Sequence, residues 1–567
     1  MLVAIKRPYF GLVCLLLAVP CAARVITVDD DGPADFNNIQ AAIDVAACGD
    51  TVLVATGTYN ENINYKGKNI IITSTEPNNP NVVAATVIRG DGTTSVVIFL
   101  GIENSTCQLR GLTITGGDTI PPYHGGGIQG SGTKATIGNC TITGNSAYRR
   151  GGGVFDCDGP IMNCSIIANT VWSDGATEEG AGLHSCDGPM TNCVISDNTS
   201  GSFKWSGFGG GLYNCHGPIN NCIIQGNYAG GNGGGLYNCD GPITNCTITN
   251  NKAQHYAFQS RGGGAYRCGG TIARCTIADN VAQESAGGLY DCDGLITGCY
   301  IASNKAMGWL GGGLYGCRII RDCVINDNSA NHGGGLASCE AVENCVVSGN
   351  LAIQSGGGAY ICGRLTNCTL TTNKAGESGG AIYVKYSTTL ANCILWGNSA
   401  SLGNEVYVAT YMVVGRSGSY EAPSTVAIGH CNVHGLSAGL YTEKDCTAEW
   451  LKGNINSDPI FAGPENGDYH LKSQAGRWDT ASQSWVQDDV TSPCIDAGDP
   501  MSPIGHEPFP NGGVINMGAY GGTADASKSY FGKAVCETII AGDINGDCRV
   551  DFADFALMVR HWLEENR

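Results

Sequence analysis

The chain has 567 residues, of which 85 are glycine and 29 are cysteine, and only 14% are charged. Its formal net charge is −19 at pH 7 and its pI is about 4.8. Nucleic acids and anionic membranes are therefore not expected as partners, because both attract basic surfaces. Cations, Ca²⁺ above all, are the partners that this charge favours.

Residues 1–23 have the layout of a secretory signal peptide. A charged start at Lys6 and Arg7 precedes an apolar run and the small residues Ala22 and Ala23. No later stretch approaches the run of about 18 apolar residues that a membrane-spanning helix needs. The sequence therefore predicts a soluble protein that is secreted to the extracellular space or the cell surface.

The next segment, residues 24–105, is expected to cap the N-terminal end of a repeat domain and to form its first coils. Residues 36–43 are amphipathic and predict a short capping helix, which the exposed end of a stack requires. Residues 50–59 and 69–72 are rich in β-branched and apolar residues and predict strands.

Residues 106–410 repeat one unit eleven times: a cysteine, an aliphatic residue two places later and an asparagine five places later. The cysteines of these units are Cys140, Cys164, Cys193, Cys222, Cys246, Cys275, Cys299, Cys323, Cys345, Cys368 and Cys393. They recur every 22–29 residues, and self-similarity at such a period indicates a solenoid. Short apolar stretches broken by Gly, Asp and Pro predict three short strands in each coil and no helix.

This pattern predicts an all-β fold, a parallel β-helix. Coils stack about 4.8 Å apart, so the regular part is a rod of roughly 48 Å. The aliphatic residues should form one inward column, and the asparagines from Asn145 to Asn398 a second column at a bend. Amide side chains there can satisfy backbone groups freed by the corner, so a structural role is predicted for them.

Nine coils carry a second cysteine six or seven places before the first, as in Cys157/Cys164. A disulfide across one corner of each coil is the preferred interpretation, because an exported chain meets an oxidising compartment. The alternative is two columns of buried free thiols that act as small apolar side chains. Metal binding is disfavoured because the spacing is not Cys-x-x-Cys and no histidine cluster accompanies it.

Three coils are longer than the rest, and their extra residues form loops at 170–179, 199–208 and 252–261 on one edge of the rod. Insertions into repeats often build a binding face. Aromatic rings stack on sugar rings, and charged groups fix a uronate or a sulfate. The predicted substrate-binding residues are Trp172, Trp205, Phe208, Tyr256 and Arg261.

The same loops hold the candidates for catalysis, which are Lys204, His255, Tyr256 and Arg261. A lyase needs a base, and Lys204, His255 or Tyr256 could serve. Arg261 or a cation would then neutralise the uronate. The alternative is that the loops fold over the rod and pack their aromatic residues on one another.

A turn column is a further candidate site, made of Asp158, Asp187, His216, Asp240 and Asp293. Stacked carboxylates about 4.8 Å apart repel unless a cation or a histidine lies among them. Asp187, His216 and Asp240 would then form a Ca²⁺ or acid–base site. Ordinary Asp-Gly-Pro turn chemistry is the favoured alternative.

Residues 411–535 lose the period and are expected to form irregular terminal coils, a cap and a linker. Residues 536–567 carry a separate signal, DINGDCRVDFAD, with oxygen-bearing side chains at positions 1, 3, 5, 9 and 12 of a Ca²⁺ loop. The predicted metal ligands are Asp543, Asn545, Asp547, Asp551 and Asp554, with the backbone carbonyl of Arg549. Residues 552–563 predict an amphipathic helix that follows the loop.

This C-terminal segment resembles a dockerin repeat, which has Asp at the twelfth position, as here. A dockerin has two such repeats and this chain has one, and Cys548 stands where the loop favours glycine. The resemblance implies a small helical Ca²⁺-binding segment that tethers the protein to a cohesin-like or cell-surface partner. An Asp-rich turn without a metal is the alternative.

The stretch NIQAAIDVAACGDTVLVATGTYNENI resembles the start of the pectin-lyase-like β-helix superfamily. The repeats resemble those of polymorphic outer-membrane proteins, best at residues 379–382 (GGAI) and 394–400 (ILWGNSA). These resemblances imply a right-handed parallel β-helix and a relationship to carbohydrate-binding proteins and sugar hydrolases. No catalytic signature of polygalacturonases, pectin esterases or pectate lyases matches this sequence residue by residue.

The function predicted from these features is the binding of extracellular polysaccharide by an exported β-helix. Lyase- or hydrolase-like degradation of that glycan is a further hypothesis, which leaves enzyme activity undecided. The alternative is a non-catalytic cell-surface or adhesin-type rod.

Overall fold

The computed structural model describes most of the chain. The described residues are 23–120, 124–174, 177–201, 206–255, 259–415, 418–530, 542 and 550–564. Nearly all of the predicted signal peptide and most of the predicted Ca²⁺ loop lie outside them.

Strands of successive coils pair in parallel and in register. Ile142 pairs with Ile166, and Ile166 pairs with Ile195, so equivalent residues of the repeat stack on one another. Such parallel crossovers are right-handed in nearly all proteins. The described residues therefore form a right-handed parallel β-helix, and the predicted all-β fold is confirmed. Coils in the middle of the rod carry four short strands rather than the predicted three, in sheets that we label A to D.

Sheet A precedes the cysteine that defines each repeat unit, from Cys140 to Cys393, which we call the ladder cysteine. Its strands in the described residues are Val25–Val28, Thr51–Val54, Ile71–Ser74, Gln108–Arg110, Thr136–Gly138, Ile161–Met162, Met190–Thr191, Ile219–Asn220, Ile243–Thr244, Ile272–Ala273, Leu295–Thr297, Ile319–Arg321, Ala341–Glu343, Arg364–Thr366, Ser387–Ala391, Thr425–Gly429 and Thr447–Trp450. Helix α1 (Ile39–Val45) packs near its first strands, and the side chain of Asn38 caps the helix by accepting a hydrogen bond from the Ala41 N–H at 2.9 Å. The predicted capping helix is confirmed.

Sheet B follows the ladder cysteine. Its strands in the described residues are Gly57–Asn60, Thr86–Arg89, Thr113–Thr115, Thr141–Thr143, Ser165–Ile167, Val194–Ser196, Ile223–Gln225, Thr247–Thr249, Thr276–Ala278, Tyr300–Ala302, Val324–Asn326, Val346–Ser348, Thr369–Thr371, Ile394–Trp396 and Asn432–Val433. Helix α2 (Pro80–Ala85) lies against its N-terminal part, where the Thr113 hydroxyl donates to the Val83 carbonyl at 2.8 Å.

Sheet D follows the asparagine bend and is the strand set that the sequence did not predict. Its strands in the described residues are Asp118–Thr119, Ser146–Tyr148, Thr170–Trp172, Thr199–Ser200, Tyr228–Ala229, Lys252–Ala253, Val281–Ala282, Lys305–Ala306, Ser329–His332, Leu351–Ser355 and Lys374–Ala375. Two strands in the longer loops, Glu178–Glu179 and Gly207–Phe208, pair in parallel beside it.

Sheet C follows the glycine run and completes the coil. Its strands in the described residues are Ile63–Asn64, Val97–Ile98, Ile128–Thr133, Val154–Cys157, Leu183–His184, Leu212–Tyr213, Leu236–Tyr237, Ala265–Tyr266, Leu289–Tyr290, Leu314–Tyr315, Leu336–Ala337, Ala359–Tyr360, Ile382–Val384, Val406–Val408 and Leu440–Thr442. The aliphatic first residue of the regular strands points into the core, and the residue after it points outward.

The cysteines correct one prediction. Every cysteine in the described residues is free, so the predicted disulfides across each corner are wrong for this structure. The Cys222 N–H donates to the sulfur of Cys246 at 3.4 Å, and the Cys186 N–H donates to the sulfur of Cys215 at the same distance. Each thiol thus faces the equivalent thiol of the next coil. Two columns of buried thiols act as small apolar side chains inside the rod.

The asparagine column has the predicted structural role. Asn227 Nδ2 donates to Asn251 Oδ1 at 3.0 Å and to the Ile195 carbonyl at 2.9 Å. The same pattern continues to Asn398, whose Nδ2 donates to Glu405 Oε2 at 2.6 Å. Each amide therefore satisfies backbone groups at the bend and ties its coil to the next.

The terminal region, residues 411–530, contains three antiparallel hairpins and two short 3₁₀ helices. The hairpins pair Tyr411–Gly415 with Gly418–Ala422, Phe461–Gly463 with Asp468–Leu471, and Arg477–Asp479 with Ser484–Val486; the 3₁₀ helices are Leu436–Gly439 and Pro464–Asn466. Leu471 and Met517 pack on Ile394, and Tyr469 packs against Val346. The predicted cap thus folds back over the C-terminal part of sheet B.

Helix α3 (Phe552–Glu564) ends the described residues and matches the helix predicted at 552–563. No helix in the described part of the chain combines the length and the apolar character needed to cross a membrane.

Candidate functional site

Two long surfaces of the rod carry candidate functional residues. The first, which we call the loop edge, consists of the longer loops at 170–179, 199–208 and 252–261. Of the residues predicted there, the structure describes Trp172, Phe208, His255 and Arg261. Lys204, Trp205 and Tyr256 lie outside the described residues.

Trp172 packs on neighbouring coils. Its ring meets the ring of Tyr148 edge-on at 5.1 Å, and its Nε1–H donates to Asp118 Oδ1 at 3.3 Å. The Tyr148 hydroxyl donates to Asp174 at 2.6 Å. The indole still keeps 39% of its surface exposed. One side of Trp172 is therefore held by the rod, and the other side faces solvent.

Glu179 is the centre of a charged cluster on the loop edge. Its Oε2 accepts a hydrogen bond from Arg150 Nε at 2.9 Å and lies 3.3 Å from His184 Nε2. Burial alone would raise the pKa of Glu179, but His184 and Arg150 lower it below the ordinary value of a glutamate. Burial raises the pKa of the adjacent Glu178, which accepts from the Gly201 N–H at 2.8 Å. Both carboxylates are engaged in contacts within the loops.

The other described candidates also contact the rod. The Phe208 ring lies 5.3 Å from that of Tyr237. Arg261 Nη2 donates to Glu284 at 2.7 Å, and its guanidinium lies 5.3 Å above the ring of Tyr290. His255 is buried. These contacts agree with the alternative in which the loops pack on the rod, while the binding and catalytic roles of these residues stay predictions.

A column of stacked aromatic residues on sheet C was not predicted. Its members are Phe155, His184, Tyr213, Tyr237, Tyr266, Tyr290 and Tyr315, and then Tyr360, Tyr383, Tyr407 and Tyr441. Ring centroids of neighbours within the column lie 4.9–5.2 Å apart. The ring faces are covered by one another, so the column stabilises the rod rather than offering faces for sugar stacking. The signal in the sequence is a Tyr two residues before the additional cysteine of many coils, as in Tyr237 and Cys239.

The turn column has the backbone contacts of ordinary turns. Asp187 Oδ1 accepts from the His216 N–H at 2.8 Å, and Asp240 Oδ1 accepts from the Gly269 N–H at 2.9 Å. Each carboxylate thus bonds the turn of the next coil. Within the described residues, three or more His, Cys, Asp or Glu side chains come close enough to share an ion only at Asp29, Asp30 and Asp31. The favoured alternative of turn chemistry agrees with these contacts.

The second long surface, which we call the trough, runs along sheet B at its corner with sheet A. Near the N-terminal end it holds a pocket of about 370 Å³ beside α2, and near the C-terminal end a pocket of about 560 Å³ beside the terminal cap. The coil residues of the first pocket are Asn139, Cys140, Thr141, Asn163 and Ser165. Those of the second are Arg321, Asp322, Cys323, Val324, Asn344 and Val346.

Both pockets use the same positions of the repeat. Since Cys164 and Cys323 are six coils apart, about 29 Å of the surface of sheet B lies between the pockets. The position before each ladder cysteine forms its rim. Asn163 Nδ2 donates to Asn139 Oδ1 at 3.0 Å, and Arg274 Nε donates to Asn245 Oδ1 at 2.9 Å. The rim therefore presents partly exposed amide and guanidinium groups along the rod.

The backbone explains why asparagine recurs on the rim. Asn163 and Asn245 both have a φ of +53°, a region that Asn adopts more readily than most residues. The floor of the trough is made of outward side chains of sheet B, of which Ile223 is 39% and Tyr300 is 46% exposed. The amide donors of the rim can bond the hydroxyls of a sugar, and the apolar floor can cover the faces of its ring. Sequence reasoning missed this surface, although the residue before the cysteine was its signal.

The C-terminal pocket joins two parts of the chain. Arg321 lies on its coil side and pairs with Glu343 at 2.7 Å. Burial raises the pKa of Asp322, and the neighbouring Arg321 opposes that shift. His506 and Tyr520 line the cap side. This end of the trough combines both charges with an aromatic wall.

The described part of the predicted Ca²⁺ loop caps helix α3. The Asp551 N–H donates to Asp554 Oδ2 at 2.7 Å, and Asp551 Oδ1 accepts from the Ala553 N–H at 2.8 Å. Such carboxylates satisfy backbone groups at a helix start. The predicted ligands Asp543, Asn545, Asp547 and Arg549 lie outside the described residues.

Comparisons with known families match two short regions. The family described as "Disaggregatase related" matches residues 419–498, and the Chlamydia polymorphic membrane protein repeat matches residues 367–385. The second match includes the GGAI stretch and agrees with the resemblance to polymorphic outer-membrane repeats. No curated protein matches the chain.

Two solved structures align over most of the chain. A pectate lyase is 12% identical over 88% of this chain and 96% of its own, with a TM-score of 0.24. A pectin methylesterase mutant in complex with a hexasaccharide is 12% identical over 75% of this chain and 92% of its own, with a TM-score of 0.13. The fold of this chain rests on its own strand pairing.

Proposed function

We propose that this protein binds an extended polysaccharide in the trough. The observation that carries the proposal is the pair of pockets at equivalent positions of the repeat, six coils apart, with an open surface between them. A linear polymer with a regular repeat suits such a surface, because equivalent side chains recur about every 4.8 Å along it.

The chemistry of the trough supports a sugar ligand. The rim offers amide and guanidinium donors, represented by Asn163 and Arg274, and the floor offers the partly exposed Ile223 and Tyr300. Carbohydrates need both kinds of contact, since each ring has polar edges and apolar faces. The net charge of −19 favours a neutral glycan, or an acidic one that is bridged by cations.

The proposal covers binding and leaves cleavage as a separate hypothesis. The arginine of the C-terminal pocket, Arg321, is already paired with Glu343. Incubation with uronate polymers and Ca²⁺, followed by ultraviolet absorbance of unsaturated products, tests lyase activity. A rise in absorbance that is lost when Asp322 or His506 is replaced would add glycan cleavage to the function. Binding without any rise would restrict the protein to recognition of the glycan.

We also propose that the protein is exported and that its C-terminal segment binds Ca²⁺ as a tether. The charged and apolar layout of residues 1–23 supports export. The capping of α3 by Asp551 and the spacing of the acidic residues before it support the Ca²⁺ loop. Mass spectrometry of the mature N-terminus and Ca²⁺ titration of an Asp543→Asn variant test these two points.

Affinity electrophoresis against a panel of neutral and acidic polysaccharides tests the binding function. Tyr300→Ala should weaken binding of the recognised glycan about tenfold, because it removes an aromatic contact from the floor of the trough. The matched control is Trp172→Ala, since Trp172 is an aromatic residue of similar exposure on the loop edge. It should leave binding within about twofold of wild type.

The opposite ranking of the two variants would place the glycan on the loop edge and overturn the proposal. Retention of wild-type mobility on every glycan would leave the alternative, a non-catalytic surface rod. That alternative agrees with the loop-edge contacts of Trp172 and Arg261.

A further inference from the structure

The terminal cap contains two carboxylates, the buried Glu507 and the partly buried Asp496, each with a buried oxygen atom that has no hydrogen-bond partner among the described residues. Glu507 is 7% exposed, and its Oε1 accepts hydrogen bonds from the N–H groups of Asn516 and Gly522, both at 2.8 Å. Its Oε2 is buried and has no hydrogen-bond partner in the described residues. The same holds for Asp496 Oδ1 and for the hydroxyl of Ser529, a residue that is 4% exposed.

These three oxygen-bearing side chains belong to one cluster. Asn516 links the two residues, because its backbone N–H donates to the Glu507 carboxylate and its Oδ1 accepts from the backbone N–H of Asp496 at 2.8 Å. The Ser529 hydroxyl lies close enough to the Asp496 carboxylate to lower its pKa. Gly512 completes the cradle: a Cβ there would lie 1.9 Å from Asp496 Oδ2, so only glycine leaves room for the carboxylate.

Among the described residues, no salt bridge from a cationic side chain balances the charge of the cluster. Burial raises the pKa of Asp496 to about 6 and that of Glu507 to about 7, and the Asp496 charge adds to the shift of Glu507. No Lys or Arg in the described residues forms a salt bridge with either group. Buried carboxylates without a counter-charge or full hydrogen bonding are costly.

We propose that the terminal cap binds a divalent cation, by its chemistry Ca²⁺, between Asp496, Glu507 and Ser529. Ca²⁺ takes carboxylate, hydroxyl and carbonyl oxygens as ligands and accepts irregular geometry. One ion would satisfy all three unpartnered oxygens and balance both carboxylates. The three proposed ligands belong neither to the C-terminal loop nor to the trough. Gly522, whose N–H donates to Glu507, also lines the C-terminal pocket of the trough.

Calorimetric titration with Ca²⁺ and thermal unfolding in Ca²⁺ or EDTA test this site. Both are carried out on the full chain with Asp543→Asn and Asp547→Asn, which silence the C-terminal loop. We expect this chain to retain a Ca²⁺ site and to gain at least about 3 °C in Tm with saturating Ca²⁺. Adding Glu507→Gln should weaken Ca²⁺ affinity at least about tenfold and abolish the gain in Tm.

Glu405→Gln is the matched control. Glu405 is equally buried, but Asn398 donates to both of its oxygens, so this variant should keep the Ca²⁺ response. Unchanged Ca²⁺ affinity in the Glu507→Gln chain would overturn the proposal. If this chain also had a higher Tm in EDTA than its parent, the carboxyl groups would carry protons instead of a cation. If the Glu507→Gln chain does not fold, Ser529→Ala replaces it in the test. The proposal requires Ser529→Ala to weaken Ca²⁺ affinity at least about threefold. Unchanged affinity in that variant would contradict the proposal.

Discussion

The loop edge and the trough follow the same coils but use their side chains differently. On the loop edge Trp172 and Arg261 contact the rod, and the tyrosine column beside them buries its ring faces. In the trough Asn163 and Arg274 bond along the rim and remain exposed, with a pocket at each end. Under the proposed function, polar residues that backbone geometry holds in the open are a better guide to a binding surface than extra loop length.

The largest effect is expected from the buried amide column that supports both surfaces. Asn251→Ala leaves the N–H and Nδ2 of Asn227 without their acceptor. It also removes the Nδ2 donor that bonds the Ile224 carbonyl. The free energy of unfolding should fall by about 4 kcal/mol, since each unsatisfied buried group costs about 1–3 kcal/mol. Urea unfolding measures the change.

The control for this prediction lies on the rim of the trough. Asn245→Gly removes an exposed amide while keeping the positive φ, and it should cost less than about 1 kcal/mol. Equal losses in the two variants would mean that the buried column contributes no more than the rim.

A pH-dependent effect is expected where the amide column ends. Burial raises the pKa of Glu405 to about 7 from an ordinary value of 4.5, against the hydrogen bonds from Asn398. The folded state then binds a proton that the unfolded state has lost, so stability falls as the pH rises from about 4.5 to about 7. The loss amounts to about 3 kcal/mol as an order of magnitude.

Glu405→Gln should remove this contribution. The difference in free energy of unfolding between the variant and wild type should be small at pH 4 and should favour the variant by about 3 kcal/mol at pH 8. A difference that does not change with pH would contradict the predicted pKa.

The smallest effects distinguish the two surfaces most directly. Arg261→Ala removes a guanidinium that pairs with Glu284 and covers the Tyr290 ring, and it should cost about 1 kcal/mol of stability without changing glycan binding. Arg274→Ala should change stability by less than about 0.5 kcal/mol but weaken glycan binding. Thermal unfolding and affinity electrophoresis on the same two proteins measure these effects. Weaker glycan binding in Arg261→Ala and unchanged binding in Arg274→Ala would contradict the prediction.

The repeat made the interior predictable. Spacing alone placed Ile142, Ile166 and Ile195 in one column, because parallel strands in register bring equivalent residues together. The disulfide prediction failed for the same physical reason. Cys186 is near Cys193 along the coil, but the Cys186 N–H donates to the sulfur of Cys215 and the Cys193 N–H donates to the sulfur of Cys222, both in the next coil.

The trough was not predictable from the repeat, because its ends are built from segments that do not repeat. The Asn344 amide donates to the Ala519 carbonyl across 175 residues, and α2 covers the other end. No local pattern specifies such contacts. The cap cluster of Asp496, Glu507 and Ser529 was missed likewise, since its three members approach one another only after the cap folds.

The asparagine column has a direction. Each side-chain N–H group points toward the C-terminal neighbour, from Asn145, which accepts from the Gly117 N–H, to Asn398, which donates to the Glu405 carboxylate. The amide dipoles thus align head to tail, and the Glu405 carboxyl group accepts the last hydrogen bond of the column. A coil duplicated or deleted in the interior would leave both terminating groups in place, so molecules of this design can change length in single-turn steps without rebuilding either terminus.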